Sequence, residues 1–586
     1  MRTQAHRAGR GIARRNRRER VNRTRLRLEL LEDRSLPSAG AGAFSYQLLA
    51  SLGDAAPGGG TYVFDFEPYG LNNQGQALYA ADLSAGGEGI FLRNANGETT
   101  ALARSGDPAP GTTGVFGPAF PGPGLTLNDS GDAGFPFFIG DPISGDRPAG
   151  IFRFSHLTGT VTAVAVPGTP MPGGGVFAGT PLHPSLNRRG DLAFAGLVTE
   201  ADIAPGPPGI DGTGLGGGVF LQTKNGQLSS VLRPGAAAPG GGVFDFIESP
   251  SLNDRGEMAF GAHVQGEECI TGSPQTDRIF CSESVYLKET DGDIISIAHQ
   301  GQGIPDSAGG GTYRLAFGPI LNNKGQMVFI GDLTAPPGRG QALGVFFWED
   351  GHTVAVARPG DAMPGGGTLV TASFFQSTYD LNEVGKVTFA GSLDTDGDGV
   401  SDATGVFVWS AGVLKVIART GTEIPGLGTV TQILPPDLAG CFPGCFPYAF
   451  LSSAMNERGQ VLFTAALDDG SGVLLVASPT GAGGGGAAAA AGSTSGNLLP
   501  ALASWVAGQH GGVSAGTPST PGSAGSVVTD VIDRFFADLS VGLRQNSVLS
   551  SSPASGSVHG GLGGSADFVP GGLADQLLAG LGVTGL

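Results

Sequence analysis

The segment Asp394-Thr395-Asp396-Gly397-Asp398-Gly399-Val400-Ser401-Asp402 is where residue type and spacing point most directly to a chemistry. Carboxylates at alternate positions of a tight turn offer several hard oxygens to one centre, the donor set that Ca2+ selects, and a glycine permits the bend. Asp394, Asp396, Asp398, Gly399 and Asp402 match positions 1, 3, 5, 6 and 9 of a calcium loop, but position 12, where a bidentate Glu is expected, is Gly405. Asp394, Asp396, Asp398 and Asp402 are therefore the expected ligands of a Ca2+ ion. The alternative is a solvated acidic hairpin loop.

Catalytic signatures are poor. Gly512-Val513-Ser514-Ala515-Gly516 has the letters of a nucleophile elbow but lies in low-complexity sequence with no strand before it. The eight His are scattered, and His183 and His263 flank repeat strands, where they read as surface or core residues rather than bases. Glu267 and Glu268 are adjacent, hence on opposite faces of an extended chain, which does not suit paired acid–base work. No catalytic set and no cofactor other than Ca2+ is expected. The four Cys fall as two local pairs, Cys269 with Cys281 and Cys441 with Cys445. Such pairs suit two disulfides and an oxidising compartment, with four free thiols as the alternative. A zinc site is disfavoured because no His stands at ligand spacing.

The elements that must position these residues come from a repeat. [Leu/Met]-Asn-x-x-Gly recurs at Asn72, Asn128, Asn187, Asn253, Asn322, Asn382 and Asn456, and an aromatic stands seven residues after each Asn: Tyr79, Phe135, Phe194, Phe260, Phe329, Phe389 and Phe463. Asn-x-x-Gly predicts a hairpin turn in which the Asn side chain bonds the backbone ahead and the Gly takes a positive φ. Alternation in the following strand buries the aromatic. A second signature, Gly-x-x-x-Pro, runs in step from Gly53/Pro57 to Gly421/Pro425. None of its copies has the Lys and Ser/Thr of a phosphate-binding loop, so it reads as a fixed turn between strands.

Short runs such as Gly218-Val219-Phe220-Leu221, followed by turns such as Asn225-Gly226, complete a unit of four short strands. Four-stranded units repeated radially make propeller blades. The chain enters the repeat with a lone strand at Ser45-Tyr46-Gln47-Leu48-Leu49 and leaves with another at Gly472-Val473-Leu474-Leu475-Val476, so the two ends complete one blade. The expected fold is all-β, a seven-bladed β-propeller over residues 45–478 closed by strands from both ends, with a β-solenoid as the runner-up. The pattern resembles the bacterial exported tandem-repeat family defined by Asn-x-x-Gly-x-x-Ala-Phe. That resemblance implies repeat architecture and export and supplies no catalytic residues. Here the Ala is kept only at Ala193, Ala259 and, one place displaced, Ala133.

The flanks differ from the repeat. Residues 1–40 hold twelve Arg and four acidic residues, so the net charge of −18 leaves about −26 on the remainder. An acidic body argues against nucleic acid as the main partner, because phosphates need cationic neutralisation. Residues 1–39 form an Arg-rich leader, and Arg25-Leu26-Arg27-Leu28-Glu29-Leu30-Leu31-Glu32-Asp33-Arg34-Ser35-Leu36-Pro37-Ser38 resembles the Leu-Glu-x-Leu-Glu-Asp-Arg signature of exported planctomycete proteins. The resemblance implies export and an extracellular or cell-surface location; a free amphipathic helix is the other reading. Residues 479–525 form a Gly/Ala/Ser-rich linker, 526–546 have the apolar spacing of an amphipathic helix, and 547–586 are a low-complexity tail. No stretch approaches the roughly 20 apolar residues of a membrane span.

Insertions cluster at one junction, in 199–217, 264–283, 331–340 and 393–404, between the aromatic strand and the strand after it. Equivalent junctions of a propeller emerge on one face, and variable loops over a uniform scaffold are the usual place for binding. The expected function is a non-enzymatic, monomeric, exported or cell-surface protein offering that acidic, loop-rich face to a protein or glycan. A polysaccharide hydrolase or lyase is the alternative from another class, and it needs His, acidic or Tyr side chains converging in the channel. A structural role in a cell envelope is the third.

Overall fold

Each Asn-x-x-Gly segment builds the same hairpin. The backbone N–H of Asn72 donates to Gln76 O at 3.0 Å and that of Gly75 to Asn72 O at 3.0 Å, a pattern repeated at all seven copies. Gly75 sits at φ +80°, a conformation that costs a residue with a Cβ and costs Gly nothing. The computed structural model describes residues 44–117, 124–140, 149–199, 215–267, 284–305, 311–333, 342–372, 379–433 and 453–480. Their regular structure is entirely β. The four Cys, the Arg-rich leader, the linker, the 526–546 helix and the tail lie outside the described residues.

The strands form seven antiparallel sheets, each a blade, in chain order around a ring. Blade 1 consists of Tyr62–Leu71, Ala77–Leu83, Glu88–Arg93 and Thr99–Arg104, paired in that order from the axis outward. Blades 2 to 6 repeat it over 126–165, 176–232, 244–298, 313–357 and 368–419. In blade 7 the last strand of the ring, Gly472–Pro479, pairs with Val461–Leu467 on one side and with the first strand, Phe44–Ser51, on the other. Strands from both ends therefore close the seven-bladed propeller, as the sequence led one to expect. Tyr46 of that first strand also donates its hydroxyl to Ile417 O of blade 6 at 2.6 Å.

The repeat aromatics are the core. All seven are at most 1% exposed. In six blades each lies directly across from an aromatic of the Gly-Val-Phe strand, as Phe329 does from Phe346, with ring centroids 5.6 Å apart. Stacked cross-strand pairs of this kind add specific geometry to burial. The Gly-x-x-x-Pro segments are the tight links between blades: Gly53 N donates to Tyr62 O at 2.8 Å, and the six later copies repeat that bond. Three of these links are also clamped by an arginine two residues before the next such Gly. Arg104 bonds Gly59 O, Arg233 bonds Pro172 O and Gly174 O, and Arg419 bonds Pro364 O and Gly366 O.

Around the axis the repeat asparagines form a closed ring. The Nδ2 of Asn72 donates to the backbone O of Asn128, and each Asn in turn bonds the next blade until Asn456 returns to Asn72 O, at 3.0–3.3 Å throughout. The Oδ1 meanwhile accepts N–H groups ahead of it in its own turn, as from Gln74 and Gln76 on Asn72. A second tier is built by the residue after six of the seven Asn, whose side chain takes the N–H of the preceding blade's equivalent. Asp129 so bonds Asn73 N, and Glu383 bonds Asn323 N. A third tier lies two residues before the Asn, where Ser185 takes Leu252 N and Ser251 takes Leu321 N, both at 2.9 Å.

Candidate functional site

The aspartate loop joins the second strand of blade 6, Val387–Asp394, to the third, Ala403–Ser410. The Asp394 carboxylate accepts the N–H groups of Gly397 (2.6 Å) and Gly399 (2.8 Å), which hold it below the usual carboxylate range. Asp398 in turn accepts Val400 N at 2.7 Å. One carboxylate oxygen each of Asp394, Asp396 and Asp398 lie within 4.8 Å of one another. Asp402 does not join them. Its oxygens take the hydroxyl and the N–H of Thr395, which lower its pKa and close the base of the loop. Three of the four residues singled out in the sequence thus converge, and the fourth shapes the turn that presents them.

The other concentration of chemistry is in the central channel, where two adjoining cavities of about 150 and 240 Å³ share Tyr69, Ser185 and Asp380 in their walls. Sequence reasoning missed this site, because its residues come from the first strands of different blades. Asp380, from blade 6, stands where blades 2, 3 and 4 carry Thr126, Ser185 and Ser251, and it makes the same bond, accepting Met455 N at 2.8 Å. Burial in the channel wall pushes its carboxyl up to about 6, against two backbone N–H donors that pull the other way. His183, from blade 3, has φ +44° at a position occupied by Gly124 in blade 2 and Gly318 in blade 5, both also at positive φ. Its Nδ1 is buried without a hydrogen-bond partner among the described residues, and burial pushes the imidazole down to about 4, so it is neutral at ordinary pH. Tyr69, whose hydroxyl donates to Glu67, and Tyr379, whose hydroxyl donates to Gly318 O, complete the wall.

The raised Asp380 pKa gives a signed expectation. A carboxyl whose folded value is about 6, against 3.8 unfolded, favours folding fully below about pH 4, and that contribution is lost as pH rises through 6. Asp380→Ser, which installs the residue of blades 3 and 4, should be more stable than wild type by about 1–3 kcal/mol at pH 7.5, with the gap closing toward pH 4. Urea unfolding of both proteins at the two pH values checks this. A pH-independent gap would contradict it.

At the mouth on the Asn-turn side, Arg188 cannot act as an acceptor in the second tier and instead reaches across the channel. It pairs with Asp129 (3.4 Å), Glu383 (3.2 Å) and Glu457 (3.3 Å) from blades 2, 6 and 7. Its side chain is 42% exposed, so each pair is screened and contributes little. His263 proves to be a core residue: its Nδ1 lies 2.5 Å from Asp245 Oδ1. Burial opposes its charge, but Asp245 outweighs it and raises the pKa. The equivalent positions of blade 5 hold Arg314 and Asp332, an ion pair of reversed polarity, which marks the pair as structural. Glu268 lies outside the described residues.

Among the described residues no helix is long and apolar enough to cross a membrane. No curated protein matches the chain in sequence. Among solved structures the chain is similar to an oligogalacturonate lyase in complex with manganese, at 14% identity and TM-score 0.38 over 75% of this chain and 98% of that one. It is also similar to the β-propeller domain of the Trilobed protease from Pyrococcus furiosus, at 9% identity and TM-score 0.38 over 72% and 98% of the two chains. A puromycin-hydrolyzing peptidase of Mycobacterium tuberculosis matches at 12% identity and TM-score 0.40, over 75% of this chain and 55% of that one, so the chain spans about half its length. A family model matches residues 33–206, 207–339 and 282–474. The chain belongs to that family, DUF7453, a family of unknown function.

Proposed function

We propose that this is a non-enzymatic, exported or cell-surface propeller that offers one loop-rich, acidic face to a protein or glycan ligand. The observation that carries the reading is uneven loop length on a uniform ring. The Asn-x-x-Gly turn has the same length in every blade. The link from second to third strand, at the opposite end of the same strands, varies widely. It occupies 84–87 in blade 1, 200–214 in blade 3 and 265–283 in blade 4. The long second-to-third-strand links all leave the end of the strands opposite the Asn-x-x-Gly turns and so gather on one face, where binding loops belong. Export rests on the resemblance of the leader and of the repeat to exported proteins.

The aspartate loop rises from the same face. In this reading Asp394, Asp396 and Asp398 supply oxygens to a Ca2+ ion while Asp402 fixes the loop around it. Calorimetry with Ca2+ should give a binding heat for wild type and none for the Asp396→Ala, Asp398→Ala double variant; equal heats would end the calcium assignment. For the face itself, a protein spanning 39–480 should retain glycans or envelope components. A version with 200–214 and 265–283 each replaced by the short blade 1 link should lose them. Undiminished capture by the shortened protein would place binding elsewhere.

A second reading, a polysaccharide hydrolase or lyase, is favoured by one observation: the channel wall brings Tyr69, His183, Tyr379 and Asp380 to one cavity. Release of reducing ends or of unsaturated products from acidic and neutral polysaccharides, abolished by Asp380→Ser, would favour it over binding alone.

A further inference from the structure

We infer that the central channel is a binding pocket for a neutral, hydroxyl-rich ligand, a single sugar residue or similar polyol, held by Asp380 and His183. Three departures from the repeat meet in one cavity. At the position two before the Asn, where blades 2 to 4 place a hydroxyl, blade 6 places the carboxylate of Asp380. Four before the Asn, where blades 2 and 5 place Gly and blade 4 the small Ser249, all at positive φ, blade 3 places the imidazole of His183 at φ +44°. Three before the Asn, where blades 3, 4 and 5 place Pro184, Pro250 and Pro319, blades 1 and 6 place Tyr69 and Tyr379.

The departures at His183 and Asp380 work against the fold. A non-glycine residue held at positive φ is strained, a buried imidazole nitrogen without a partner loses its hydration, and a half-buried carboxylate where Ser suffices adds a desolvated charge. Positions where local rules are broken together, in a cavity, mark function rather than architecture. The chemistry of the wall selects the ligand. Asp380 and the neutral imidazole of His183 can both accept hydrogen bonds from ligand hydroxyls, because a carboxylate already bound to two N–H groups keeps further lone pairs. Ser185, Thr126 and Ser453 line the same space with hydroxyls. A single carboxylate repels an anion, and the presence of neutral donors and acceptors on every side suits a polyol better than a lone cation. The cavities, of about 150 and 240 Å³, are smaller than the pockets of drug-sized ligands and fit one sugar unit rather than an oligosaccharide. None of these residues belongs to the loops of the insertion face, so this inference and the binding reading above stand or fall separately.

The test uses the full chain and two variants that install what sister blades already carry, His183→Gly and Asp380→Ser. Both should fold with unchanged or higher melting temperature. Calorimetry or ligand-observed NMR with the methyl glycosides of glucose, galactose, mannose and xylose should show saturable binding of at least one to wild type. Its affinity should fall tenfold or more in each variant. Glucosamine and glucuronate serve as charged counterparts and should bind no better. Absence of binding by all four glycosides would overturn the inference. So would undiminished binding by both variants, or a preference for either charged sugar.

Discussion

A chain ended after Ala465 should fail to form a cooperative ring. The deletion removes Gly472–Pro479, which is both the outer neighbour of Val461–Leu467 and, among the described residues, the only strand to which Phe44–Ser51 pairs. Val473, Leu474, Leu475, Val476 and Ala477 are at most 5% exposed, so their loss uncovers both sides of blade 7. At about 1.5–3 kcal/mol for each large apolar side chain, four of them account for roughly 10 kcal/mol. That is comparable with the whole stability of a typical domain. The first strand, left unpaired, also exposes a row of backbone donors and acceptors to water and to other chains. Thermal melting followed by circular dichroism should show a broad or absent transition in the truncated protein. A melting curve unchanged from wild type would mean that the ring does not depend on closure, and that the blades are stacked as in an open solenoid.

The architecture could be read from the sequence because its determinants are local and repeated. Asn-x-x-Gly specifies its hairpin within five residues, and the aromatic seven places on is buried by alternation alone; both signals recur seven times, which fixes the number of blades. The complementary lone strands at either end showed closure. What the sequence hid was every interaction between blades. The Asn side chain was expected to bond the backbone ahead of it, and its Oδ1 does so, but its Nδ2 bonds a carbonyl 56 to 74 residues away, or 384 residues back at the closure. Nothing within one repeat indicates that partner. The channel pocket was hidden for the same reason. Asp380 and His183 are unremarkable in their own segments, and become informative only when seven repeats are superposed and each is seen to depart from its equivalents. The arginine two residues before Gly106, Gly235, Gly360 and Gly421 was, by contrast, readable in the sequence, as a third recurring position beside the two signatures. The aspartate loop lay between these extremes. Its alternate carboxylates were visible, but the diversion of Asp402 to Thr395 depends on how the loop folds on its own base.

The ring of asparagines should be the most sensitive polar feature of the molecule, and Asn322→Asp isolates the part that was not visible in sequence. Asp keeps an oxygen where Oδ1 accepts Lys324 N and Gln326 N, both at 3.0 Å, so the turn itself is preserved. Only the Nδ2 donor is lost. In its place a second carboxylate oxygen faces Asn382 O, from 3.0 Å, and Gln326 Oε1, from 2.7 Å, in a site where Asn322 is 4% exposed. Gln326 cannot relieve this by turning its amide without giving up the bond of its Nε2 to Glu349 at 2.6 Å. A buried charge among acceptors costs more than a missing neutral hydrogen bond, so a loss of about 2–4 kcal/mol is expected at pH 7.5. The loss should shrink at pH 4.5, because protonation returns an O–H donor at the position of the missing N–H. Asn322→Ala, which removes the turn bonds as well, should be destabilised at both pH values alike. Urea unfolding of the two variants at these pH values separates the contributions. If Asn322→Asp were as stable as wild type, the inter-blade bonds would be a geometric consequence of the ring; a loss that recedes on acidification identifies them as part of what holds the ring closed.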